Sequence, residues 1–430
     1  MSDEAALEKR RARGLRRAVL AQLFGILGMD SFNNGIMLLY MTVLGVNPVR
    51  ILTYLAIPNA LSTVFRLPIA YLADRYGKKR LGLIGLFLVT LGYSAVPFAG
   101  SFSLRTAEAL LVSGFTVLAV GKMLFACGWF AMLSPLVPED RRGRIFASMR
   151  FLFQTANIAV AGICVYALSE NAPVSRFQVI TGVLAFGFLM RAILYNGVPE
   201  LERQRTRAGS FSQTLGKLVR LKGYAGFCAY IFLLTLFTAG CGSLFALVEK
   251  NTLALSSGWV VLLANIGMVG GMFGLFLGGR AIDRWGTKYV FLVCHFGFGA
   301  SILGFLMRGV MPFPLLAALG GVHFFLGAVA AASGLAIISE MLALIPRENK
   351  ALSTSLGTSM ILAGSALSGL TSAAILKADI VRESWTFLEK QMSQYDAILL
   401  GYAVMIVLMV VTLGLVPSVL RKAEWIPQAQ

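Results

Sequence analysis

The chain has 430 residues, of which 57% are hydrophobic and only 13% charged, with a formal net charge of +18. Soluble proteins carry about 25% charged residues, so this composition excludes a water-wrapped globular fold. The apolar residues also fall in long runs. Leu81–Gly100 and Leu399–Leu420 hold no charge at all, and roughly 20 such residues cross a bilayer core of about 30 Å as a helix. Lipid offers the backbone no hydrogen-bond partners, which favours helices. The alternating segments of about 10 residues that a β-barrel needs are missing.

In chain order the runs predict an all-α membrane protein of about twelve transmembrane helices. They lie roughly at 17–44, 49–73, 81–100, 107–135, 145–168, 174–198, 223–248, 256–280, 288–307, 312–344, 352–376 and 396–420. The expected organisation is an N-terminal tail 1–16, a six-helix bundle 17–198, a polar linker 199–222, a second six-helix bundle 223–420 and a C-terminal tail 421–430. Within the linker, Phe211, Leu215, Leu218 and Val219 are spaced for a short interfacial helix. Most of the 38 Lys and Arg fall in the two tails and the even-numbered connections. The odd-numbered connections hold only Arg50, Arg105, Arg176, Lys250, Arg308, Lys377, Arg382 and Lys390. The positive-inside rule then puts both termini in the cytoplasm. The basic balance serves topology and attraction to anionic lipid headgroups, and no nucleic-acid partner is expected. Cys127, Cys164, Cys228, Cys241 and Cys294 lie inside spans, so neither a disulfide framework nor a metal site is expected. The first apolar run has no small-residue cleavage pattern and reads as a retained first helix.

Two loops repeat. Asp74-Arg75-Tyr76-Gly77-Lys78-Lys79 follows the second span and Asp283-Arg284-Trp285-Gly286-Thr287-Lys288 follows the eighth. Pro138-Glu139-Asp140-Arg141-Arg142-Gly143 follows the fourth and Pro346-Arg347-Glu348-Asn349-Lys350 the tenth, at nearly the same separation. Two loops in register imply a duplicated six-helix unit, as in transporters whose two halves rock around a midplane site.

These loops resemble the Gly-x-x-x-Asp-Arg-x-Gly-basic-basic motif of the major facilitator superfamily. Gly279, Asp283, Arg284, Gly286 and Lys288 follow it, with Thr287 in place of one basic residue. Asp74, Arg75, Gly77, Lys78 and Lys79 follow it too, but Ala70 replaces the leading glycine. The resemblance spans essentially residues 17–420 and implies two pseudo-symmetric six-helix bundles, a monomer, a multi-pass location in the cell (inner or plasma) membrane, and transport of a small-molecule substrate. It also implies a gating role for Asp74, which would meet Arg142 or Arg144 or the dipole of the eleventh helix; the plainer reading is that the basic residues only pin the loop. Asp283 is read in the same two ways.

Ionisable groups inside the bilayer are costly, roughly 2.5 to 3.5 kcal/mol at a helix centre. Asp30 and Lys122 each lie about 20 Å along their helices from the inner face, so they can pair. Either they serve proton coupling and substrate binding, or they form a static bridge. Lys122 also stands where the family carries a basic residue on helix 4, although Ala126 replaces the glycine of that Arg-x-x-x-Gly pattern. Asn33 and Asn34, at i+3 and i+4 from Asp30, share its face on a continuous helix. Gln154 and Asn157 make a similar pair on helix 5, lining the cavity or bonding between helices. His323 suits a proton relay or packing. Arg66, Arg150 and Arg191 are expected to reach inner headgroups. The glycines from Gly267 to Gly279 suggest close helix packing.

The fifth span lacks the Gly-x-x-x-Gly-Pro motif usual in drug/proton antiporters of this superfamily, and no phosphate-binding loop or hydrolytic constellation occurs. The chain is therefore read as a non-enzymatic, cofactor-free secondary transporter using alternating access and coupled to protons, leaning to a small organic anion because of Lys122. Efflux of amphipathic drugs or lipids, passive uniport, and a non-transporting sensor or scaffold are the alternatives.

Overall fold

A computed structural model describes residues 3–137, 142–168, 172–201, 216, 223–344 and 350–409. It is overwhelmingly helical: α1 Asp3–Asp30, α2 Ile36–Val43, α3 Pro48–Tyr76, α4 Lys78–Phe98, α5 Leu104–Leu133, α6 Arg142–Ala167 and α7 Val174–Asn196 come first. After them come α8 Tyr224–Thr238, α9 Cys241–Leu247, α10 Ser257–Trp285, α11 Thr287–Leu306, α12 Leu315–Leu344, α13 Lys350–Lys377 and α14 Gln394–Met409. Among the described residues, nine helical stretches are long and apolar enough to cross a membrane. Large apolar side chains such as Phe87, Val179, Val183 and Phe186 are exposed on them, as lipid-facing surfaces require.

The chain forms two compact units, Met1–Gly209 with Ala254–Leu262, and Ser210–Leu253 with Leu263–Gln430. In the first, α4 lies along α5, α3 also packs on α5, and α1 packs on α7 and α6. In the second, α8 packs on α13 and α11 on α12 and α14. Apolar side chains gain little by leaving lipid for a helix interface, so close packing must hold such units together. Between α4 and α5 the backbones touch. A Cβ on Gly85 would lie 2.6 Å from the Gly121 carbonyl oxygen, and one on Gly121 would lie 2.5 Å from that of Gly85. In the second unit, Gly270 and Gly274 face the α12 backbone at Phe324 and Ala328.

Three features differ from the sequence expectation. The first span is not one helix: α1 runs back to Asp3 and stops at Asp30, and a turn over 31–35 precedes α2. Gly35, at φ 83°, supplies the left-handed backbone that lets the chain restart. The seventh span is likewise interrupted at Ala239–Gly240, and it ends in a π-helical turn, Val248–Thr252. A small antiparallel hairpin, β1 Ser384–Phe387 and β2 Lys390–Ser393, stands before α14.

The repeated loops show why they carry glycine. Gly77 has φ 96° and Gly286 φ 82°, and a Cβ at either would touch nothing. Backbone conformation, not space, requires glycine where α3 turns into α4 and α10 into α11. Asp74, Arg75, Arg142 and Arg144, and the linker helix expected at 211–219, lie outside the residues whose side chains are described. Lys78 is half-buried at the start of α4, whereas Asp283 and Arg284 are exposed.

Candidate functional site

The polar site of the first unit is built on the break after α1. Backbone N–H groups of Asn33 and Asn34 donate to the Asp30 carbonyl at 2.8 and 2.9 Å, ending the helix. Asn34 is buried, and its Oδ1 accepts from the Ile36 N–H at 3.2 Å, which starts α2. Ser31 donates to the Gly28 carbonyl at 2.6 Å, and its hydroxyl meets the Tyr93 hydroxyl at 2.9 Å. The sequence reading of Asn33 and Asn34 as one helix face with Asp30 is therefore corrected. Asn34 stands just before Gly35, the N-cap of α2, and accepts across it from Ile36, while Asn33 is an exposed turn residue whose Nδ2 reaches Asp30 Oδ1 at 3.4 Å. The Asn-Asn-Gly run was the available signal, since such residues punctuate helices.

The break leaves Asp30 facing neighbouring helices. Asn157 of α6 donates from Nδ2 to Asp30 Oδ2. The opposite end of that amide, Oδ1, is buried without a hydrogen-bond partner among the described residues. Gln154 lies half-buried one turn earlier. Lys122, half-buried at the middle of α5, lies within electrostatic reach of Asp30, Arg66 and Arg191. The static Asp30–Lys122 bridge, one of the two readings the sequence leaves open, is not among the ion pairs of the described residues, and asparagine amides donate to both Asp30 carboxylate oxygens.

Arg191 also departs from expectation. It does not reach for headgroups: it is 4% exposed, lies 4.2 Å over the Phe125 ring and donates to Gln22 on α1. Only glycine leaves it room at position 25, where a Cβ would collide with its side chain. Arg66 on α3 has its Nε buried with no hydrogen-bond partner among the described residues. The first unit thus sets Lys122 near two other cations, Arg66 and Arg191, and near one carboxylate, Asp30. It also holds an unsatisfied donor and an unsatisfied acceptor. Unmet buried polar groups are costly, on the order of 1–3 kcal/mol each.

His323 belongs to the second unit and not to this cluster. Its Nε2 lies 2.7 Å from Glu249 Oε1, and Glu249 is fully buried. Sequence reasoning missed Glu249 by ending the seventh span at 248. A second missed group is the pair Arg308–Asp396, which the hydropathy pattern had put at loop edges. Arg308 donates to both carboxylate oxygens, at 2.8 and 3.0 Å, and both residues are buried. Asp396 also accepts from the Ser393 N–H and hydroxyl, each at 2.8 Å. Every oxygen of that carboxylate is occupied, which marks a clasp holding the hairpin to α11 and α14. Among the described residues, no cluster of three or more His, Cys, Asp or Glu is arranged to hold a metal ion.

The Major Facilitator Superfamily model matches residues 19–369, and the chain belongs to that superfamily. It is a multi-pass integral membrane transport protein. In structure it is similar to an alanine variant of the nucleoside transporter NupG, with TM-score 0.70, 14% identity, and coverage of 92% of this chain and 98% of that one. It is similar to a POT family transporter in complex with a thioalcohol-conjugated peptide (TM-score 0.69, 14% identity, 93% and 96% covered). A bacterial homologue of the iron transporter ferroportin in an inward-facing state matches at TM-score 0.62 and 13% identity, with 92% and 98% covered. No curated protein matches the sequence significantly.

Proposed function

We propose that this protein is a secondary active transporter of a small organic anion, coupled to protons and working by alternating access. Twelve membrane spans in two pseudo-symmetric six-helix bundles, with both termini cytoplasmic, complete that reading; 1–16 and 421–430 are its tails and 199–222 its linker. The observation that carries the substrate class is the excess of Arg66, Lys122 and Arg191 over Asp30, with the Arg66 Nε donor unsatisfied. The similar structures are of transporters named for nucleosides and iron and of one bound to a peptide, solutes of unlike charge, so the fold leaves the choice to the site. A carboxylate or phosphate between the cations would meet a bidentate donor in Arg66. Asp30 would take up a proton as the anion arrives, keeping the local charge nearly constant. The gating loops, Asp74 to Lys78 with Arg142 and Arg144, and Asp283 to Gly286, would open and close one end of the path.

The test is solute-driven proton movement in liposomes with a trapped pH-sensitive dye, comparing small carboxylates, sugars, amino acids and amphipathic cations. Carboxylates should move protons, and Asp30→Asn should abolish that signal while leaving exchange of labelled solute. Movement only of amphipathic cations would overturn the anion reading, and proton-silent flux would overturn the coupling.

A further inference from the structure

The second unit holds a buried acid–imidazole pair that the cationic cluster does not use. Glu249 is 0% exposed and His323 7% exposed. Their Oε1–Nε2 contact of 2.7 Å joins two atoms that are both acceptors unless a proton sits on one of them. That proton can be the imidazole's own, in a neutral Nε2–H tautomer donating to an ionised carboxylate, and the pair then bears one negative charge; one further proton makes it neutral. The other carboxylate oxygen, Oε2, is buried and has no hydrogen-bond partner among the described residues. With that further proton the pair, as carboxylic acid beside neutral imidazole or carboxylate beside imidazolium, is neutral and tolerates its surroundings. Without it, an ionised carboxylate with a bare oxygen would sit where water cannot reach, which burial strongly disfavours.

The surroundings support this isolation. Phe245 meets the imidazole edge-on with centroids 5.5 Å apart and stacks on Phe305 at 3.8 Å. Arg308 lies over Phe305 and is held by Asp396. Of the other ionisable groups on neighbouring elements, Lys250 follows Glu249 and is half-buried, and the Tyr395 hydroxyl meets Asn251. His295 on α11 is bonded to Tyr230, Glu340 lies about 25 Å further along α12 and accepts from Thr287, and Lys377 ends α13.

The geometry points to Glu249–His323 as a proton-binding site of the second unit, loaded while the pair is buried and unloaded when Oε2 becomes accessible. Its backbone suits that exchange. Glu249 sits in the π-helical turn Val248–Thr252. Conversion of such a turn to α-helix shifts register by one residue and swings the side chain by about 100° around the axis. The proton leaves Glu249 for water and leaves a carboxylate beside neutral His323; it returns by the reverse path. The inference rests on the transport reading above only for its use in coupling, since proton binding itself needs no substrate.

Infrared difference spectra of the purified protein between acid and alkaline pH, without solute, separate the two. A titrating carboxyl C=O band should appear in the wild type, vanish in Glu249→Gln, shift in His323→Gln and survive in Asp30→Asn. A band unchanged in both Glu249→Gln and His323→Gln, or no titrating band beyond the one lost in Asp30→Asn, overturns the site. Should Glu249→Gln not fold, the shift or its absence in His323→Gln decides alone. In liposomes, Glu249→Gln should lose at least tenfold of solute-driven proton movement and keep labelled-solute exchange. Full proton movement in that variant shows that the pair plays no part in coupling, even where the transport reading stands.

Discussion

Asn157 donates its amide hydrogen to Asp30 and so ties the middle of α6 to the residue at which α1 stops. Truncating it should leave the carboxylate short of a donor in a site that water reaches poorly. Asn157→Ala is expected to lower stability by about 1–3 kcal/mol, read as a fall in the melting temperature of the purified protein. In an Asp30→Asn background the same truncation should cost less, because no charge remains to be satisfied. An equal cost in both backgrounds would disconnect the two side chains.

Lys122→Gln should weaken an anionic solute more than a neutral one. Losing one charge-assisted contact is worth about 1.5–3 kcal/mol, or roughly a 10- to 150-fold rise in apparent KM for the anion. Lys122→Arg restores charge but places a planar fork where a compact ammonium stood, so only partial recovery is expected. Uptake kinetics over a concentration series measure both. An unchanged KM in Lys122→Gln would remove Lys122 from the solute path.

Breaking the Arg308–Asp396 pair should hurt stability rather than transport chemistry. Asp396→Ala strands a guanidinium that is 4% exposed, a change that costs about 3–5 kcal/mol. Converting both residues to apolar ones of similar size, Arg308→Met with Asp396→Leu, should recover most of it. Denaturation of the single and double variants settles the point, and a double variant as unstable as the single would contradict the clasp.

Gly121→Ala drives a Cβ into the Gly85 carbonyl and should cost about 1–3 kcal/mol through overpacking. Gly162→Ala, where a Cβ meets nothing within 4 Å, should instead stabilise by up to about 1 kcal/mol through helix propensity. Size-exclusion profiles after a heat step will rank the two. The opposite order would mean that α4 and α5 are not in backbone contact.

The residues divide by how far hydropathy alone can be trusted. Asp30 and Lys122 stood out because each interrupts a long apolar run, and the burial cost of such groups is independent of fold detail. Glu249, Arg308 and Asp396 escaped notice because they sit at the ends of runs, where a charge reads as loop. Only tertiary packing decides whether an end is covered. Asn34 was misread for a different reason: periodicity assumes an unbroken helix, and α1 has already stopped at Asp30. Arg191 looked like a headgroup-seeking cation because the space above Gly25 that receives it belongs to another helix.

The glycine contact between α4 and α5 has a mechanical result. Where main chain rests on main chain at Gly85 and Gly121, and again at Gly92 and Gly114, there are no side chains to change rotamer and absorb sliding. The two helices can shift only by separating, so they behave as a single stiff spar. Flexing within the first unit then falls to segments outside that spar, and the 31–35 turn is one of them, beside Asp30.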